Sequence, residues 1–313
     1  MPSPKRTQTS EWRCRWAPSL GELAGTAKEA WGTLAYDPAK DQGRPLVAFG
    51  LYGLPDFYAL WRHQGRKAIF WAGSDIRHLR SGYWLDEEGE IKMNEYEQRD
   101  RGIAEWINEH CENWVENEGE AWQLKDCGIE VTGIVPSFLG DVRKYPISFK
   151  RGNRVYLSSN EGSQREYGWG IVTQIADSLP QIEFHLYGAE FEHQPLQNVI
   201  VHGRVPQETM DRETRRMQCG LRLNKHDGFS EITAKSILWG QYPITYLYFP
   251  MVDQYTADQC GQSFCLKSVS RLVKMLRRIP KLRQPNLKAR AYYLLRVNQF
   301  PWNVYAKNYD PAH

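Results

Sequence analysis

CGLRLNKHDGFSEITAKSILWGQYPI, residues Cys219–Ile244, decides how the rest of the chain is read. Leu221 and Leu223 alternate with Arg222 and Asn224, the period-two pattern of a strand end. Asp227-Gly228 supplies a turn, and Ser230 is a good N-cap for a helix starting near Glu231. Ile232, Ile237 and Leu238 give that helix an apolar side. Gly240 suits its C-cap, and Pro243 stops it. Arg222, Lys225, His226, Asp227, Ser230 and Glu231 therefore crowd the point where a strand's carboxyl end meets a helix's amino end. In open α/β sheets ligands bind at such points, and backbone N–H groups there favour anions such as a diphosphate. An ordinary strand–helix loop with solvated charges is the competing reading, and geometry alone does not separate the two.

The preceding residues repeat the pattern. RVYL, Arg154–Leu157, reads as a short strand, followed by the polar loop SSNEGSQREYG and a helix from about Trp169 to Ser178. Ile182–Gly188 and Asn198–Val205 read as two more strands. A helix follows with Pro206 in its first turn and acids ahead of bases, as the helix dipole prefers.

DGF (Asp227, Gly228, Phe229) followed by WGQYPI (Gly240, Pro243, Ile244) resembles the donor-sugar loop of GT-B glycosyltransferases of the family-4 type. Their signature is an acid, Gly-Phe, apolar residues, a second acid, then a small helix ending Gly-x-Pro-Val. The resemblance covers residues 154–244 best and 45–75 loosely. It implies an α/β chain with two Rossmann-like domains facing across a cleft, the amino-terminal one shortened. It implies transfer of a sugar from a UDP- or GDP-sugar cosubstrate, with no other cofactor and no metal. Asp227 would hold sugar hydroxyls within a donor site made of Arg222, Lys225, His226, Asp227, Gly228, Phe229, Ser230 and Glu231. The family's second acid falls at Lys235, so Glu231, one helical turn earlier, is the candidate for the ribose. In the first loop the family carries an Arg and a Lys-Gly pair for the donor diphosphate. Gly168 matches the Gly, Tyr167 replaces the Lys, and Arg165 is the nearest basic residue. The grip is therefore expected from Arg165, shared with Arg222 and Lys225.

In the amino-terminal half, Pro45–Gly53 reads as a strand with a Gly-rich end, followed by a helix over about Pro55–His63. Lys67–Asp75 is a buried strand ending Gly-Ser-Asp, which resembles the cleft edge of the first GT-B domain. Asp75 there would serve as acceptor base or hydroxyl-orienting group. The alternative is an Asp that caps the next helix. Further elements are a helix at about Glu95–Glu109, a strand at Asn113–Asn117, and a helix capped at Gly128. Ile134–Gly140 fits an interdomain linker. The expected division is 1–140 as an acceptor domain, 141–290 as the nucleotide-sugar domain, and 291–313 as a tail crossing back to the first.

Composition limits the alternatives. The 313 residues, 41% of them apolar, suffice for two domains with cores of their own. No apolar run approaches the ~18 residues of a membrane span, and MPSPKRTQTSEW lacks the apolar centre of a secretory signal. The six cysteines show no paired C-x-x-C spacing, which favours free thiols and a cytoplasmic setting over zinc or disulfides. The eight histidines also lack metal-ligand spacing, and His185 and His202 fall in strands. No G-x-S-x-G, Walker loop or intact G-x-G-x-x-G occurs, which argues against a hydrolase, an NTPase and a dinucleotide dehydrogenase.

Charge is sharply divided. Residues 259–309 hold eleven Lys and Arg and no Asp or Glu, leaving 29 basic and 36 acidic side chains before them. Lys274, Arg277, Arg278, Lys281 and Arg283 form the centre of this basic segment. One-signed stretches contact polyanions, and Tyr292, Tyr293, Phe300, Trp302 and Tyr305 supply rings for unpaired bases. SRLVKMLRRIPKLR is also amphipathic, so a membrane surface or a solvated face packed on the core are rival readings. The basic tail, the aromatic content and the short first domain lean toward DNA with a hydroxymethylated base as acceptor, as in compact phage-type DNA-modifying glycosyltransferases. A cell-envelope glycan or lipid acceptor is the alternative, as is a non-catalytic nucleic-acid-binding protein with a degenerate fold.

Overall fold

The computed structural model describes residues 11–17, 20, 31–81, 84–85, 91–92, 97–135, 142–164, 167–190, 196–224, 228, 230–249, 251–254 and 266–297. They fall into two compact units, the first made of the described residues up to Val142 together with 295–297, and the second running Arg143–Leu294.

The first unit is built on β1 (Arg13–Trp16), β2 (Leu34–Ala35), β3 (Leu46–Phe49), β4 (Lys67–Phe70), β7 (Cys111–Val115) and β8 (Gly133–Ile134). All are parallel, in the order β2-β1-β3-β4-β7-β8. Helices α1 (Leu54–Arg62), α2 (Ser74–Ser81), α3 (Glu97–His110) and α4 (Glu118–Asp126) link or flank them, and β5 (Trp84–Leu85) pairs with β6 (Ile91–Lys92) as an antiparallel ribbon. A parallel strand is covered on both faces, so it reads as an unbroken apolar run. LVAF of β3 is buried throughout: Leu46 and Ala48 join one core cluster, Val47 and Phe49 the other.

Residue pattern alone does not mark β1 as a strand, because two of its four residues are arginines. Trp12-Arg13-Cys14-Arg15-Trp16 does alternate, with Cys14 in the apolar cluster of one face. On the other face Arg13 is paired with Asp41 at 3.0 Å and Arg15 with Asp56, so burial of these strand charges is matched by acids.

The second unit has β9 (Arg154–Ser158), β10 (Glu183–Tyr187), β11 (Val199–Gly203), β12 (Cys219–Arg222), β13 (Ile244–Thr245) and β14 (Asp253–Gln254). These too are parallel, in the order β11-β10-β9-β12-β13-β14. Its helices are α5 (Trp169–Ala176), α6 (Gln207–Thr214), α7 (Glu231–Leu238), α8 (Leu266–Leu276) and α9 (Leu287–Val297), the last running three residues past this unit. Val155 and Leu157 of β9 enter the main core, while Tyr156 faces Tyr187, Ile232 and Trp239 on the other side.

The amphipathic stripe of α8 belongs to this core. Leu272 and Leu276 are fully buried beside Met275 and Ile279. The stripe therefore packs into this core, beside α5, rather than on a membrane, which removes the apolar half of the membrane-surface reading. Of the expected linker 134–140, Ile134 belongs to β8, while 136–140 and the end of the tail, 298–313, lie outside the described residues.

In each sheet the chain first steps outward one way, then returns and steps the other way. The reversal lies between β1 and β3 in the first unit and between β9 and β12 in the second. Loops leaving the carboxyl ends of such strand pairs diverge to opposite faces and open a crevice there.

Candidate functional site

In the second unit the crevice lies outside Ser158 and Arg222, and the end of β12 with the start of α7 frames one side of it. Ser230 is the N-cap of α7 and its side chain accepts from the Thr233 amide at 3.1 Å. Every residue from Ile232 to Leu238 is buried, so the helix is fixed from all sides and its amino end is a rigid donor of backbone N–H groups. Gly240 takes a φ of +79° after the last turn, as expected of a glycine C-cap.

The two loops of the crevice are packed against each other. Gly168, the N-cap of α5, has a φ of +89°, and a Cβ there would stand 2.7 Å from the Leu223 Cβ. Beside it the Arg222 guanidinium lies 4.4 Å from the Tyr167 ring centroid. The tyrosine that replaces a lysine in the GT-B pattern is thus a platform for the arginine of the other loop. Gly188, at the end of β10, closes the floor: a Cβ there would meet the Ser159 carbonyl oxygen at 2.2 Å.

Lys235 explains the departure at the second acid. Its side chain is 6% exposed, and it contacts Glu231 at 2.5 Å and Asp211 at 2.8 Å. Burial pushes its pKa down, but Glu231 and Asp211 outweigh that and hold it above its ordinary value, so it is a fixed cation. Glu231, whose side chain is half exposed, is steered by this cation at the first turn of α7. The structure therefore brings Arg222, Gly228, Ser230 and Glu231 to one strand–helix junction. Lys225, His226, Asp227, Phe229 and Arg165 lie outside the described residues. The sequence marks Tyr167 and Lys235 only as departures from the motif; their contacts with Arg222 and with Glu231 and Asp211 are seen in the structure alone.

In the first unit the crevice lies outside Trp16 and Phe49. Asp75 is wholly buried, and its carboxylate accepts from the amides of Leu51 at 2.9 Å, Ala72 at 3.0 Å and Ile76 at 2.9 Å. Burial raises its pKa to about 6 against the pull of these N–H donors. This geometry supports the capping alternative: Asp75 ties the loop after β3 to the first turn of α2. The groups it positions at the edge are Tyr52, whose hydroxyl lies 2.6 Å from Ser74 Oγ, and His78, whose ring stands edge-on to Tyr52 at 5.7 Å.

Lys274, Arg277, Arg278, Lys281 and Arg283 are all exposed along the outer side of α8 and the turn after it. No ion pair with an acid is seen at Lys274, Arg277, Lys281 or Arg283 among the described residues. The same residues contain no group of three or more His, Cys, Asp or Glu arranged to hold a metal, and no helix long and apolar enough to cross a membrane.

No protein-family model matches the chain, and no curated protein does. Solved structures do. The GtfA/B complex is similar at 10% identity and a TM-score of 0.52 over 79% of this chain and 54% of that one. Anabaena Alr3699/HepE in complex with UDP-glucose is similar at 11% and 0.52, over 86% and 79%. Sucrose-phosphate synthase from Thermosynechococcus elongatus is similar at 12% and 0.52, over 84% and 71%. The chain spans about half the length of the GtfA/B chain it matches. At these identities the likeness establishes a fold: α/β with parallel sheets, of the kind these glycosyltransferases share.

Proposed function

We propose that the chain transfers a sugar from a nucleotide-sugar, UDP- or GDP-linked, to an acceptor hydroxyl. The observation that carries this reading is the junction at β9 and β12. Two loops packed through Gly168 and Leu223 present an arginine braced on Tyr167 beside the capped amino end of α7. A leaving diphosphate needs such a preorganised set of N–H donors and a cation, because charge develops there as the glycosidic bond breaks. Glu231, steered by Lys235, is suited to accept from ribose hydroxyls, and Asp227 from those of the sugar. Lys225, His226, Phe229 and Arg165 complete the proposed donor site. UDP-glucose bound to HepE, a protein of like fold, supports the ligand class.

For the acceptor, the exposed basic row Lys274–Arg283 supports a polyanion, and DNA bearing a hydroxymethylated base is the proposed one. A cell-envelope glycan or lipid is the second acceptor reading. A non-catalytic nucleic-acid binder is favoured by one observation, the aromatic Tyr167 where a phosphate-binding lysine is expected.

Thermal-shift and calorimetric titration with UDP, GDP and their sugars tests the proposal. Saturable binding that Arg222→Ala weakens supports it. Binding of no nucleotide removes its main support and leaves the non-catalytic reading.

A further inference from the structure

A groove of about 490 Å³ runs along α1 in the first unit, within the ~300–1,000 Å³ of ligand clefts. Its origin is the charged face of β1. Arg13 and Arg15 are in register with Leu46 and Ala48 of β3, so all four project from the same face of the sheet. Over β3 that face is covered by α1, whose Phe57 and Leu60 share a cluster with Leu46 and Ala48. Over β1 it meets the loop after β2 instead, and the groove lies between that loop and the helix. Pro55, Tyr58 and Arg62, on one side of α1, form one wall; Tyr36 and Gln42 form the other; Arg15 lies between them.

The lining has a definite chemistry. Its charged members are both arginines. Of the nearby acids, Asp41 and Asp56 are buried and already bound to Arg13 and Arg15, and the more exposed Asp37 is paired with Lys40 at 3.0 Å. Arg62 is exposed, over the Tyr58 ring at 5.8 Å. Tyr36 is held rigidly. His63 Nε2 lies 2.8 Å from the Arg44 carbonyl and so must donate to it, which makes Nδ1 the acceptor of the Tyr36 hydroxyl at 3.1 Å. Burial keeps that histidine's pKa below its ordinary value, so this tautomer is stable at neutral pH. Two half-buried tyrosine rings, two guanidiniums and a carboxamide along a narrow groove are the parts that bind unpaired nucleotides: rings stack on bases, and arginines meet phosphates.

We infer that this groove holds a single-stranded segment of nucleic acid, with bases against Tyr36 and Tyr58 and phosphate on Arg62. The inference deepens the acceptor half of the proposed function and rests on the DNA reading there. It gives the first unit a separate task from the basic row of the second: the row gathers a polyanion through its phosphates, and the groove takes bases that are not paired.

The test is fluorescence anisotropy of a labelled oligo-dT against the full chain, with a nucleotide-sugar titration on the same samples. Arg62→Gln should weaken oligonucleotide binding and flatten its log–log salt slope by about 0.7, the value of one phosphate on a single strand. Tyr58→Leu should weaken it about fivefold or more with the slope unchanged. An abasic strand should bind wild type no better than oligo-dT binds the Tyr58 variant. Both side chains face the groove, so nucleotide-sugar binding should be unaltered in both variants, which also reports that they fold. Oligonucleotide binding that survives both changes but falls on Lys274→Ala with Arg277→Ala overturns the inference. So does the absence of saturable binding, or displacement by an acidic polysaccharide that binds the Tyr58 variant equally well. In each of these cases an intact nucleotide-sugar titration leaves the transfer reading standing.

Discussion

Lys235 Nζ donates to both carboxylate oxygens of Asp211, at 2.8 and 2.9 Å, from a helix that is buried from Ile232 to Leu238. The pair joins α6 to α7, and through Glu231 it sets the first turn of the proposed donor site.

Breaking this pair should be unequal in its two directions. Asp211→Ala strands a buried cation with Glu231 alone and should cost more than Lys235→Met, which leaves an acid that is 30% exposed. Both should fall below the ~3–5 kcal/mol of a fully buried pair. Because the folded-state pKa of Lys235 is raised, the pair's contribution is complete below the ordinary lysine value of 10.5 and is lost as pH rises through the folded value. Urea unfolding from pH 7 to 9 should therefore show a constant difference between wild type and Lys235→Met.

Gly168→Ala should destabilise the second unit by about 1–3 kcal/mol, the usual cost of a forced left-handed residue, with the collision at Leu223 added. Leu223→Ala should not rescue it, because the colliding atom is the Cβ that alanine keeps. Melting temperatures of the two single variants and the double variant check this.

Arg222→Ala should weaken nucleotide-sugar binding about tenfold or more, the worth of a hydrogen bond to a charged group. Tyr167→Phe should leave affinity nearly unchanged and Tyr167→Leu should lower it, since the ring rather than the hydroxyl carries the arginine. Calorimetric titration distinguishes the three.

Asp75 should make stability fall as pH rises from about 4 to 6. Its folded-state pKa of about 6 exceeds the ordinary 3.8, so the native state binds the extra proton in that window. The effect should be on the order of 2–3 kcal/mol and should vanish in Asp75→Asn. Thermal unfolding across this pH range gives the measurement. A loss of turnover in Asp75→Asn with an unchanged melting temperature would return Asp75 to the acceptor-base role.

Duplex DNA binding should weaken with salt at a log–log slope of about −0.9 for each phosphate met by the Lys274–Arg283 row. Lys274→Ala combined with Arg277→Ala should flatten the slope by nearly two units and weaken all sequences alike. Mobility shifts at several salt concentrations provide the readout.

What was legible in the sequence was local. Ser230, Gly240 and Pro243 mark the start and end of α7 because capping and chain-breaking act within a few residues. The strands β3, β4, β9 and β10 announce themselves by apolar runs, since parallel strands are buried on both faces. The partner of Lys235 was not legible, because Asp211 lies 24 residues away and only the packing of α6 on α7 brings it near. β1 was not legible because two arginines interrupt its apolar pattern, and only Asp41 and Asp56, distant in sequence, account for their burial. The stripe on α8 admitted both core and membrane, since periodicity records an apolar face and not what covers it.

The strand order of the second unit also sets its history during synthesis. β9 pairs on one side with β10, which follows closely, but on the other with β12, where Cys219 matches Val155 across more than sixty intervening residues. Until Cys219–Arg222 has been made, the strand at the centre of the finished sheet is an exposed border with unpaired amides and carbonyls. Such borders recruit other chains. A ribosome stalled before Cys219 would therefore hold a sticky half-sheet, and chaperone demand for this protein should be greatest in that interval.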